Sequence, residues 1–193
     1  MMRTSLVLLL LAAALVMTAC GSSHKSAETT TLPQVLPTAT TPDEWAKRVV
    51  DVLLRPLNRD LQVVNGFNDP NVLVYIANQN PTTLRILKNR LADLSNCSTK
   101  LVTIGPPPQS RKPLRRVNTQ FQKACASYVR LAARLQKATL FISSGRTDVI
   151  ARGRKVLRDA RPLNNAAADQ FATAIKLAQV LPEFRRAGLQ RSV

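Results

Sequence analysis

The sequence predicts an all-α protein, a helical bundle of four to six helices with one Pro-rich crossover. Two observations carry this expectation. Apolar residues recur at three- and four-residue spacing in run after run between residues 42 and 187, which is the period of one buried helix face. Only one short run, Val72–Ile76, has the composition of a strand, and no second run exists to pair with it.

The first element opens at Thr41-Pro42-Asp43-Glu44, with Thr as N-cap, Pro in the first turn and Glu three residues on. Trp45, Val49, Val52, Leu53, Leu57, Leu61 and Val64 then share one face. Pro56 falls inside the run and is expected to kink the helix or split it in two. Asn65-Gly66 supplies the stop. Asp69-Pro70 opens a shorter element reaching about Asn80; its core fits a strand as well as a helix, and the lack of a partner strand favours helix. Asn80-Pro81 starts the next helix, with Leu84, Leu87, Leu91 and Leu94 on one side. Gly105-Pro106-Pro107-Pro108 ends this regularity in a stiff, extended connection. A long helix follows from about Pro113 to Ser143, its apolar side built from Leu114, Val117, Phe121, Ala124, Tyr128, Leu131, Leu135 and Ile142. Ser144-Gly145 breaks it. Thr147 is expected to cap a last long element reaching about Leu181, kinked or interrupted near Pro162.

The chain has 193 residues, of which 45% are hydrophobic. That length suits one domain, and the apolar share excludes wholesale disorder. A single histidine and three cysteines leave little material for a His-rich metal site or a Ser/His/Asp triad. No cofactor and no metal are expected.

The first nineteen residues have the layout of a targeting segment. Arg3 provides the positive start, and Leu6 to Val16 form an apolar stretch of eleven residues. As a helix this spans roughly 16 Å, about half a hydrocarbon core, so it suits a signal peptide and not a permanent membrane span. Met17-Thr18-Ala19-Cys20, followed by Gly21, resembles the lipobox of bacterial lipoproteins. The resemblance covers residues 1–21, and Met17 stands where that family usually has Leu. It implies that a diacylglyceryl group joins the Cys20 sulfur, that residues 1–19 are removed, and that the protein sits outside the cytoplasm on a bacterial membrane. Residues 21–41 are rich in Ser, Thr and Pro and have no sustained apolar period. With Cys20 they read as a disordered tether, with an r.m.s. reach of about 25 Å. His24 lies within it and has no assigned role. The helical domain is expected over 42–187, with 188–193 as a tail.

Cys97 and Cys125 are the cysteines left for that domain. An even pair in an exported protein predicts a structural disulfide. The spacing lacks the C-x-x-C of a redox pair.

The charge is uneven. Residues 20–99 hold eight Lys/Arg and seven Asp/Glu, whereas residues 100–193 hold nineteen and four, within a net charge of +17. On the long helix Arg116, Lys123, Arg130, Arg134 and Lys137 fall in a sector about 60° wide, away from the apolar side. Arg152, Arg154, Lys155, Arg158 and Arg161 follow on the last element. A solvated face explains polarity but not the near absence of Glu, because such a face repels itself unless an anion is near. The five residues of the long helix are therefore candidates for contact with anionic lipids, wall polymers or an acidic protein. Nucleic acid is disfavoured by export and by having only eight aromatics to stack on bases. Catalytic motifs are lacking: there is no H-E-x-x-H, no G-x-S-x-G and no Gly-rich phosphate loop. Asp148 and Asp159 lie eleven residues apart and suit ordinary ion pairs. The expected function is that of a lipid-anchored, non-catalytic module whose basic half meets an anionic surface. The competing reading is a small-ligand receptor or enzyme with its site between helices.

Overall fold

A computed structural model describes Ala39 and residues 41–189. The expected signal peptide, Cys20 and nearly all of the tether lie outside the described residues. Within the described residues the fold is all-helical, with no strand. The helices are α1 (Pro42–Arg48), α2 (Arg55–Gly66), α3 (Pro70–Ala77), α4 (Pro81–Ser95), α5 (Cys97–Ile104), α6 (Lys112–Ile142), α7 (Thr147–Gln179) and α8 (Pro182–Arg186). A π-helical stretch, Val49–Leu54, joins α1 to α2.

Local chemistry explains most boundaries. The Thr41 hydroxyl accepts from the Glu44 N–H at 3.2 Å, the Asp69 carboxylate from Asn71 N–H at 2.8 Å, and the Asn80 side chain from Thr83 N–H at 3.0 Å. Each satisfies an N–H that a helix start leaves orphaned. The run is divided into α1 and α2, but by the π-helical stretch ahead of Pro56 and not at the proline itself, which lies in the first turn of α2. The wide π turn precedes it and passes the Arg55 N–H back to the Val50 carbonyl, which opens the ladder where a proline ring would crowd a tight turn. Residues 72–76 are helical, as favoured. The bundle is cut more finely than four to six helices. Asn96 separates α4 from α5, and Leu181, extended at φ −87° and ψ 132° before Pro182, separates α7 from α8. Thr147 is the first residue of α7, not its cap. No side chain caps that start at Arg146, whose own N–H goes to the Ser144 hydroxyl at 3.3 Å. Pro162 lies inside α7, which continues past it for seventeen residues to Gln179.

The scaffold is the antiparallel hairpin of α6 and α7, turned at Gly145 with φ 73°. On α6 two heptad rows are buried: Leu114, Phe121, Tyr128, Leu135, Ile142, and Val117, Ala124, Leu131, Ala138. On α7 the buried row is Gly153, Ala160, Ala167 and Ala174, one small residue every seven. Large side chains on one helix thus meet small ones on the other, the interdigitation of a tightly wound hairpin. Of the remaining helices, α3, α4 and α5 pack against α6, α2 packs against α4, and α8 bridges α7 and α1. Cys97 at the head of α5 is disulfide-bonded to Cys125 in α6, with Cα atoms 5.1 Å apart, so the predicted pair is present.

One knot closes the ends. Trp45 is fully buried, and its indole N–H donates to the Gly105 carbonyl at 3.0 Å. Phe184 of α8 meets its ring edge-on at 5.9 Å. The Arg186 guanidinium donates to Asp43 at 2.7 Å and Arg111 to Glu183 at 2.9 Å. Ala39 belongs to this core, so packing begins inside the expected tether.

Candidate functional site

The structure sorts the positive charge of α6 and α7 into two places. Arg116, Lys123, Arg130, Arg134 and Lys137 are all exposed on α6, as their wheel positions required. At 1.5 Å per residue the row runs about 31 Å along the helix. Among the described residues none of the five is ion-paired with a carboxylate. The Arg130 guanidinium donates to the Ser127 hydroxyl at 3.2 Å, and that hydroxyl donates to Gln170 on α7 at 2.8 Å. Lys137 stands 5.6 Å over the Phe141 ring. The stripe therefore borders the Gln170 side of the hairpin seam.

The arginines of α7 do not extend that stripe. Arg154, Arg158 and Arg161 rim a cleft of about 570 Å³ between α2–α3 and the hairpin. Around α7, Arg158 and Gln170 are twelve residues and so about 120° apart. The floor of the cleft is apolar, formed by Val64, Phe67, Leu131, Leu135 and Ala160, all buried. Leu73, Ala77 and Leu157 make half-buried walls. Val74 lines it while 54% exposed. Asn68, Asn78 and Asn164 add amides. None of the three arginines is ion-paired with a carboxylate among the described residues, although Lys155 on the same helix pairs with Asp159 at 3.4 Å. In the sequence these arginines stand out only as part of the basic second half of the chain. The i, i+4, i+7 spacing of 154, 158 and 161 was the available signal, but most of the apolar floor comes from Val64, Phe67, Leu131 and Leu135, far away in sequence from Ala160.

The carboxylates have structural positions. Asp148 pairs with Arg146 at 3.2 Å and Asp159 with Lys155 at 3.4 Å, each with a neighbouring cation on the surface. Glu183 is buried against Arg111. Asp60 is buried where α2, α4 and α5 meet, with Arg90 at 3.5 Å and Lys100 at 3.9 Å. Both its oxygens lack a hydrogen bond, so burial raises its carboxyl above the ordinary range, opposed by the Lys100 charge. Among the described residues no three His, Cys, Asp or Glu gather as a metal site, and no helix is long and apolar enough to cross a membrane.

No protein-family model, no curated protein and no solved structure matches the chain.

Proposed function

We propose that this protein is a lipid-anchored, extracytoplasmic, non-catalytic module whose α6 face contacts an anionic envelope surface. The observation that carries the reading is the row of five exposed cations along one helix, none of them ion-paired with a carboxylate among the described residues. A solvated face built by ordinary selection mixes signs, whereas this one carries a uniform field that favours anions. Clustered Lys/Arg near an anionic leaflet contribute about 1 kcal/mol each, so five supply about 5 kcal/mol, weak but useful once a lipid holds the domain nearby. Anchoring through a diacylglyceryl group on Cys20 and a tether of about 25 Å reach would supply that proximity. Anionic lipid heads and wall polymers share the chemistry that such a stripe recognises. The pairing of Asp148 and Asp159 with their neighbours favours the non-catalytic reading over acid–base chemistry.

Co-sedimentation tests this. The chain from residue 20 onward, with Cys20→Ser, is mixed at low salt with anionic vesicles, neutral vesicles and isolated wall material. Retention by an anionic surface, lost when Arg116, Lys123, Arg130, Arg134 and Lys137 become Gln, is the expected result. Equal retention on neutral vesicles, or none anywhere, would leave the stripe as a solvated face.

A further inference from the structure

We propose that the cleft between α2–α3 and the α6–α7 hairpin is a binding site for a single-chain anionic amphiphile, an alkyl or acyl chain ending in a phosphate or carboxylate. This site is separate from the α6 stripe and does not depend on it.

Three observations converge. The cavity, about 570 Å³, lies within the range of about 300 to 1,000 Å³ typical of small-ligand sites. Its floor is hydrocarbon and aromatic, formed by Val64, Phe67, Leu131 and Leu135, and the polar groups of the lining are the arginines and the amides of Asn68, Asn78 and Asn164. Its rim has three guanidinium groups one or two turns apart on one face of α7. Like charges at i, i+4 destabilise a helix, and this trio keeps that cost with no carboxylate paired to it among the described residues. The two carboxylates adjacent in sequence to lining residues are both engaged elsewhere, Asp69 in capping α3 through the Asn71 N–H and Asp159 with Lys155 at 3.4 Å.

Those features select a ligand class by complementarity. A neutral apolar molecule would leave the arginines unused, and a small hydrophilic anion would leave the floor wet. A chain with an anionic head satisfies both, since the guanidinium fork matches the oxygens of phosphate or carboxylate in pairs. Exposed Val74 beside this lining would gain cover from the bound chain.

Isothermal titration of the chain from residue 20 onward, carrying Cys20→Ser, tests the assignment. Hexyl, octyl and decyl phosphate serve as probes, each below its micellar concentration. One-to-one binding is expected, tightening about fourfold per added methylene while the chain remains on the floor. Octanol should bind at least tenfold more weakly than octyl phosphate, and inorganic phosphate should give no measurable heat. Replacing Arg154, Arg158 and Arg161 together by Gln should weaken octyl phosphate at least tenfold. Ala77→Phe, which fills the wall, should weaken every chain length. The Gln variant of the five α6 cations should bind octyl phosphate as the parent does, so failure of the surface reading and failure of this one are separable. Octyl carboxylate run beside the phosphate tells which head the rim prefers. Octanol binding as tightly as octyl phosphate, phosphate binding alone, or an unaffected arginine triple variant would each overturn the proposal.

Discussion

Gly153 sits at a close approach of α7 to α6, and adding one methyl there is expected to destabilise the fold. A Cβ at this position would lie 2.7 Å from Ile142 Cγ1, 3.1 Å from the Ala138 carbonyl oxygen and 3.1 Å from Phe141 Cβ. Those atoms belong to two adjoining turns of α6, and one is backbone, so no single rotamer change relieves all three. Two effects oppose each other. Alanine is the better helix former by about 1 kcal/mol. Overpacking a dense interface costs about 1 to 3 kcal/mol. With three contacts inside normal separation the upper half of that range applies, and the net loss is about 1 to 2 kcal/mol. Gly66 is the internal control. A Cβ there meets only Val72 Cγ2 at 3.9 Å, so Gly66→Ala should be neutral or stabilise by up to about 1 kcal/mol. Urea denaturation followed by circular dichroism reads both variants, with an unchanged slope certifying a common unfolded state. Gly153→Ala matching or exceeding Gly66→Ala in stability would refute the close-approach argument.

Three further outcomes follow from the same geometry. Cys97 and Cys125 close a loop with a sequence separation of 28, so the double Ala variant should lose about 3 to 4 kcal/mol in the chain-entropy account; non-reducing mass spectrometry should find the two peptides joined, and free thiols in protein purified from its own cells without reductant would contradict the staple. Because burial raises the Asp60 carboxyl above its ordinary value, its contribution to stability is present in acid and is lost as pH rises from the unfolded to the folded pKa. The stability of Asp60→Asn relative to the parent should therefore increase from pH 3 to pH 7, and a decrease would contradict the burial argument. Cys20→Ser should move the protein from the membrane to the soluble fraction of its cells; unchanged membrane retention would exclude the lipid anchor.

The fold class was legible because its signals are local. Thr41, Asp69 and Asn80 announce three helix starts by their own side chains, and the apolar rows of α6 repeat over its whole length. Boundaries set by neighbours were harder. Pro56 reads as a breaker, yet the π turn before it absorbs the ring. The heptad of Gly153, Ala160, Ala167 and Ala174 was present in the sequence, but small residues carry little hydrophobic signal, and only the facing bulk of α6 gives them meaning. The exposed α6 stripe followed from wheel geometry alone. The cleft did not, since its floor joins residues from α2, α6 and α7, and no one-dimensional period reports such a junction. Asp60 was equally silent. Its burial depends on α4 and α5 closing over α2, with Arg90 and Lys100 brought from those helices.

The central claim, that the α6 stripe binds by distributed charge, is tested most directly by the salt dependence of affinity for anionic vesicles. Binding of the lipid-free chain is measured from low to physiological ionic strength, for the parent and for the variant with all five α6 cations as Gln. Screening shortens to about 8 Å at 0.15 M, so the parent should lose affinity steeply as salt rises, while the variant should bind weakly with a shallow slope. Stepwise removal of one cation at a time should lower both affinity and slope in increments. Parent and variant lines that coincide in height and slope would contradict the claim.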